Sequence, residues 1–309
     1  MPFGTVVLND GHKIPAIAFG TGSVFKRTDV TRLVHQALDT GFSHIDTAAF
    51  YETEVTVGQA IRESGLARSE LYITTKYGTR DIQEGIKNSL FNLGLKHVDL
   101  YLIHHPTTVI HDLEGAWSEF ELIKKDGLAK SIGVSNFTLE LLQRLAKTAR
   151  VLPAVNQIEF HPYNYAKNKP LVTWCAQQGI VAEAYSSLSS ITKFPGGPVD
   201  VPVAVTAERL GITATQVLLS WVRAKGVVIV TTSGSKEHLE EYMAVGDLPP
   251  LTDAEIAAID DAGAKGPPGL LDVGVKVRGG RVTLRCGIAA LFFVSLAYML
   301  VCMVARQMY

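Results

Sequence analysis

The chain is short of the residue types that mark several large classes of protein. Its 309 residues include only three cysteines, Cys175, Cys286 and Cys302. Three scattered thiols make neither a disulfide framework nor a zinc site, and they suit a reducing, cytosol-facing compartment. Neither sign of charge is in excess: the formal net charge is -1, so nucleic acid is not an expected partner. The nine histidines show no H-E-x-x-H or similar spacing, and no metal is expected. The opening MPFGTVVLNDGHK has no apolar stretch behind basic residues, so no secretory leader is expected. The sequon Asn136-Phe137-Thr138 then reads as chance. Also missing is the glycine fingerprint of the doubly wound dinucleotide-binding sheet. Gly20-Thr21-Gly22 comes nearest, but Phe25 stands where the third glycine would let helix and strand pack closely.

Apolar residues are plentiful, at 47% of the chain. Residues 5–8 and 13–18 flank Asn9-Asp10-Gly11, a hairpin signal. Strand patterns follow at residues 44–47, 71–75, 98–104, 131–135, 154–160, 180–186 and 227–232. They alternate with helical patterns at 29–40, 54–64, 81–93, 113–125, 139–147, 169–178 and 214–224. Alternation of this kind implies a parallel sheet. With residues 14–19 as the first strand there are eight βα steps, which predicts a (β/α)8 barrel over residues 1–262, with an N-terminal β-hairpin. Residues 263–285, opening on glycines and prolines, read as a tether. Residues 286–305, CGIAALFFVSLAYMLVCMVA, carry no charge, with Arg281 and Arg285 before them and Arg306 after. About 20 apolar residues is the length of a membrane-crossing helix, which predicts a tail anchor with the barrel on the cytosolic side. A buried terminal helix, or a mispredicted gene end appended to a soluble enzyme, is the alternative.

Barrels of this kind gather reactive groups at the C-terminal ends of their strands. The second strand ends at Asp46, with Tyr51 just beyond; the third ends at Lys76 and the fourth at His104. Singly, each has an ordinary reading as a helix cap, a surface charge or a core histidine. Together, on neighbouring strand ends, they suit the protonation of an oxygen on which negative charge is building. Tyr51 would be the acid, Lys76 would favour its anion, Asp46 would hold Lys76, and His104 would donate a second hydrogen bond.

The stretch Gly41-Phe42-Ser43-His44-Ile45-Asp46-Thr47-Ala48, with Tyr51, Glu54 and Gly58, resembles the aldo-keto reductase signature. So do Thr75-Lys76, the run from Asp99 to His104, Gly133-Val134-Ser135-Asn136-Phe137 and the run from Asn156 to Pro162. The resemblance covers residues 4–262. It implies a (β/α)8 barrel that reduces an aldehyde or ketone with NADPH, or with NADH, and the catalytic set Asp46, Tyr51, Lys76 and His104. It further implies that Ser135, Asn136 and Gln157 hold the nicotinamide carboxamide, that Tyr185 stacks on the ring, and that Ser186 and Leu188 line a pyrophosphate channel. Gly20, Thr21, Gly22 and Asp46 would also border the cofactor. A monomer is expected, with a small carbonyl compound as partner.

The chain departs from the family pattern in two places. After strand eight, Thr232 and His238 stand where many members carry Lys and Arg, leaving Thr232, Ser233, Lys236 and His238 to meet the adenosine phosphate. Gly22, Gly78 and His105 stand where large aromatics often wall the pocket, which predicts a wider, more polar pocket. His105 would touch the substrate or merely fill space. The segment SSLSSITKFPGGPVD and the Val-Thr-Thr-Ser stretch look most like a fungal subgroup of conjugated polyketone, keto-amide and erythrose reductases. A cofactor-sensing regulatory protein on the same fold is the other functional reading, and a dehydrogenase working in the oxidative direction a third. Tyr163 and Lys167 mimic the Tyr-x-x-x-Lys pair of short-chain dehydrogenases, but are expected in a loop, without that family's glycines.

Overall fold

In a computed structural model of the chain, residues 3–78, 81–268, 271–277 and 280–286 are described. Strands β1 (Thr5–Val7) and β2 (Lys13–Pro15) form an antiparallel hairpin. Its turn needs Gly11, whose φ of +87° suits a residue without a Cβ.

Eight strands follow: β3 (Ile17–Gly20), β4 (His44–Asp46), β5 (Tyr72–Tyr77), β6 (Val98–Ile103), β7 (Ala129–Ser135), β8 (Val155–Glu159), β9 (Val181–Tyr185) and β10 (Val228–Thr231). They pair in parallel in the order β10-β3-β4-β5-β6-β7-β8-β9 and close into a barrel, so the predicted (β/α)8 architecture holds. Helices α1 (Thr31–Asp39), α2 (Glu54–Glu63), α3 (Ile82–Leu93), α4 (Leu113–Lys125), α5 (Leu139–Leu145) and α6 (Pro162–Gln177) supply the first six crossovers. Short α7 (Ser189–Thr192), α8 (Asp200–Leu210) and α9 (Ala214–Ala224) lie between β9 and β10, and α10 (Lys236–Ala244) and α11 (Asp253–Ala264) follow. Helix ends are fixed by local chemistry. The Asp81 side chain accepts from the Glu84 N–H at the start of α3, and Gly94 closes that helix at φ +68°.

Alternation along each strand decides what fills the barrel. Near the base, Tyr72, Leu100, Leu102, Val155 and Val228 pack with Leu8 and Ile14 of the hairpin, which plugs that end. Gly133 lies within this packing; a Cβ there would meet the Val155 carbonyl at 2.6 Å. Buried Asp99 of β6 receives Arg68 Nη2 at 2.6 Å, Lys130 Nζ at 2.7 Å and the Ile73 N–H at 2.8 Å. The helices cover the outside. The Trp221 indole of α9 donates to Asp260 of α11 at 2.8 Å.

Two expectations change. Tyr163 to Lys167 is helical, because Pro162 opens α6 at a position that needs no N–H donor, and Asn164 accepts from the His161 N–H at 3.0 Å. The segment read as a tether continues α11 to Ala264 and carries an antiparallel pair, β11 (Leu271–Val277) and β12 (Gly280–Cys286). Its alternating Val273, Val275 and Val277 suit a strand. Most of the apolar run, from residue 287 onward, lies outside the described residues; among those described, no helix is long and apolar enough to cross a membrane.

Candidate active site

The C-terminal strand ends surround a cavity of about 550 Å³ bordered by Gly20, Gly22, Asp46, Tyr51, His104, Ser135, Asn136, Gln157, Tyr185, Ser186, Leu188 and Thr232. Thirteen of the positions named from sequence are thus accounted for with Lys76, which lies just beneath, fully buried.

Three threonines set the framework. Thr21 Oγ1 lies 2.9 Å from Thr47 Oγ1 and 3.0 Å from Thr53 Oγ1, and the latter two are 3.1 Å apart. This buried knot ties the loops after β3 and β4, which carry Gly22 and Tyr51. Thr21 is therefore a brace within the wall. Tyr51 ends a 3-10 turn, Ala49–Tyr51, and the chain reverses at Glu52 in the left-handed region, φ +57°. Gly22 must stay small: a Cβ there would come within 2.9 Å of the Tyr51 ring.

Beneath Tyr51, Lys76 Nζ donates to Asp46 Oδ1 at 2.5 Å and to the Thr47 carbonyl at 2.9 Å. Its Nζ lies 5.1 Å from the centroid of the Tyr51 ring. The His104 ring meets the Tyr51 ring edge-on at 5.3 Å between centroids. Burial outweighs the other influences on Tyr51 and raises its pKa; Lys76 opposes the rise. Burial would lower the Lys76 pKa, but Asp46 and Tyr51 hold it up, so the ammonium stays charged. His104 is pushed down to about 3 by burial and by Lys76, and is a neutral imidazole at physiological pH.

A second layer escaped the sequence reading. Glu183 of β9 is fully buried on the inner face of the barrel. Gln157 Nε2 donates both its hydrogens, to Asp46 Oδ2 at 2.9 Å and to Glu183 Oε2 at 2.8 Å. Burial and the nearby Asp46 charge push Glu183 up to about 8. An acidic residue between Ala182 and Ala184, in an otherwise apolar strand, was the available signal. Ser135 Oγ donates to the Gln157 carbonyl at 2.8 Å, Asn136 Nδ2 to the His104 carbonyl at 3.0 Å, and the Tyr185 hydroxyl to Asn136 Oδ1 at 2.8 Å. Asn136 and Ser186 sit at φ +64° and +59°, a strained backbone that turns both into the mouth.

The other wall is less connected. The hydroxyls of Ser189 and Thr232 border the cavity, buried and without a partner among the described residues. Ser233 Oγ lies 3.3 Å from His238 Nδ1, while Lys236 is exposed and its Nζ is 3.7 Å from Glu240. Ser233, Lys236 and His238 stand on the rim beyond the cavity lining. His105 departs from the substrate-touching reading. Its Nδ1 is 2.8 Å from Thr107 Oγ1 and accepts from the Thr107 N–H at 3.3 Å, capping an exposed turn outside the lining.

A closed parallel barrel with a tyrosine, an imidazole and a buried ion pair at its mouth defines a barrel enzyme equipped for proton transfer. Residues 16–195 match the model of the Aldo/keto reductase family. An NAD/NADP-dependent indole-3-acetaldehyde reductase of Schizosaccharomyces pombe is 38% identical over 245 residues, covering 75% of this chain and 86% of that protein. The methylglyoxal reductase DkgA of Salmonella typhimurium is 35% identical over 266 residues, covering 84% and 94%. A Bombyx mori aldo-keto reductase, crystallised in complex with NADP, superposes with a TM-score of 0.77 at 33% identity, covering 83% and 92%. The chain belongs to the aldo/keto reductase family, and is an oxidoreductase acting on the carbonyl–alcohol pair.

Proposed function

We propose that this protein reduces an aldehyde or ketone, α-dicarbonyl and α-keto compounds included, with NADPH as donor and NADH as substitute, and with Tyr51 as the general acid. NADPH, when bound, supplies the hydride. The carbonyl oxygen sits between the Tyr51 hydroxyl and neutral His104, which donates a hydrogen bond as charge builds. Tyr51 releases its proton to that oxygen, and Lys76, held by Asp46, stabilises the phenolate left behind. Gln157 has both amide hydrogens on carboxylates, so its oxygen is left to accept from a carboxamide. Asn136 and Ser135 line the same wall, and Tyr185 offers a ring face. The unpartnered hydroxyls of Ser189 and Thr232 fit a phosphate-bearing cofactor, as buried donors without partners call for an acceptor.

The observation that carries this reading is the buried Asp46–Lys76 ion pair, its ammonium 5.1 Å from the centroid of the Tyr51 ring, with Tyr51 and His104 together bordering the cavity. Tyr51→Phe tests it: reduction of a carbonyl panel should fall about a thousandfold, with NADPH affinity, read by fluorescence, nearly unchanged. A fully active variant overturns the assignment. The uncharged run at 286–305 supports a further reading, attachment to a membrane through the C-terminus. Deleting residues 281–309 should move the protein from the membrane to the soluble fraction on cell fractionation; full-length protein already in the soluble fraction refutes it.

A further inference from the structure

The reacting end of the cavity carries a cation that the proton-transfer chemistry does not use. Lys26, on the loop after β3, borders the cavity. Its Nζ lies 5.2 Å from the centroid of the Tyr51 ring and 5.3 Å from that of Phe50. Phe50 in turn meets the His104 ring edge-on at 6.1 Å. The other charged residues of the lining are answered: Asp46 by Lys76 at 2.5 Å, and Lys193 by Glu159 at 3.5 Å. Next door, Arg27 is paired with Glu52 at 3.0 Å. Lys26 has no carboxylate within ion-pair distance among the described residues and rests on aromatic faces instead. Such a contact holds an ammonium in place and leaves its hydrogens free for an anion. Gly22, which also borders the cavity, presents no side chain beside the Tyr51 ring.

We infer that Lys26 is a specificity-determining residue that receives a carboxylate on the substrate, so that 2-keto acids are preferred to their neutral counterparts. This rests on the reductase reading. The Tyr51 hydroxyl fixes the carbonyl oxygen, and the carboxylate of a 2-keto acid is one carbon away, on the side where the Lys26 ammonium stands. The carbonyl carbon gains the hydride, which brings both electrons of the reduction; the C=O π pair moves to oxygen, and Tyr51 gives that oxygen its proton. A 2-hydroxy acid and oxidised cofactor leave, and solvent returns the proton to Tyr51. The cofactor pyrophosphate is the competing anion. The substrate is favoured because Lys26 stands on the Phe50–Tyr51–His104 wall, whereas the unpartnered hydroxyls lie after β9 and β10.

The test compares benzoylformate with its methyl ester, and methylglyoxal as a neutral control, in wild type, Lys26→Met and Lys26→Arg. Wild type should favour the acid in kcat/KM, and Lys26→Met should lose about 10- to 100-fold on the acid alone, chiefly in KM. Lys26→Arg should keep most of the preference, and added salt should erode it. In parallel, oxamate and ethyl oxamate are titrated calorimetrically into the NADP+-loaded protein; oxamate should bind more tightly in wild type and lose that advantage in Lys26→Met. Equal losses on acid and ester with weaker NADPH binding would place Lys26 on the cofactor and overturn the inference. So would an ester preferred by wild type. If no carbonyl is reduced, the reductase reading fails, and the oxamate titration still decides whether Lys26 receives a carboxylate.

Discussion

Two buried aspartates, one at each end of the barrel, teach different lessons. Asp99 at the base is clamped by Arg68, Lys130 and a backbone N–H. Asp46 at the mouth is clamped by Lys76 and Gln157. In partners and burial they are nearly alike. They differ in what lies beyond the cation. Past Lys76 is the phenol of Tyr51, which borders the cavity at the mouth, while Arg68 and Lys130 are themselves partly open to solvent, at 25% and 41% of their side chains. An ion pair in a barrel is thus no sign of chemistry by itself; the reactive group it braces makes the difference.

The sharpest way to break this comparison is to neutralise each aspartate in turn. Asp46→Asn should lower kcat by about a hundredfold or more, because the ammonium loses its anchor beneath Tyr51. Asp99→Asn should leave kcat near wild type and lower stability by about 2 kcal/mol in urea titration. Matching kinetic losses in the two variants would erase the distinction. Glu183 sharpens it next. Folding raises its pKa from 4.5 to about 8, so across that window the folded chain keeps a proton the unfolded chain gives up. Stability therefore falls as pH rises, by up to about 1.4 kcal/mol per unit. Denaturation curves at pH 6, 7 and 8 should show this slope in wild type and its loss in Glu183→Gln. The smallest effect belongs to the rim: Lys236→Ala should weaken NADPH binding a few-fold more than NADH binding, and equal changes would assign recognition of the phosphate elsewhere.

The barrel and its reacting corner were legible because their signals are local. Eight apolar segments alternate with amphipathic ones, and Asp46, Lys76 and His104 each lie at or within one residue of a strand end, a position the fold converts into proximity. Glu183 was not legible, because its meaning depends on which face of β9 looks inward and on Asp46, far away in sequence. Lys26 failed for the same reason: a lysine in a loop gains significance only once Phe50 and Tyr51 are seen beneath it. His105 misled because adjacency to His104 in sequence puts it on the opposite side of an extended backbone. The helix start at Pro162 was readable from the proline and from Asn164, three positions after His161.

The stopper of Leu8 and Ile14 fills the far end of the barrel, away from the cavity beside Tyr51. Whatever enters that cavity to be transformed, and the water that recharges the acid, come to the same corner, so a bulky molecule lodged there hinders replenishment as well as supply.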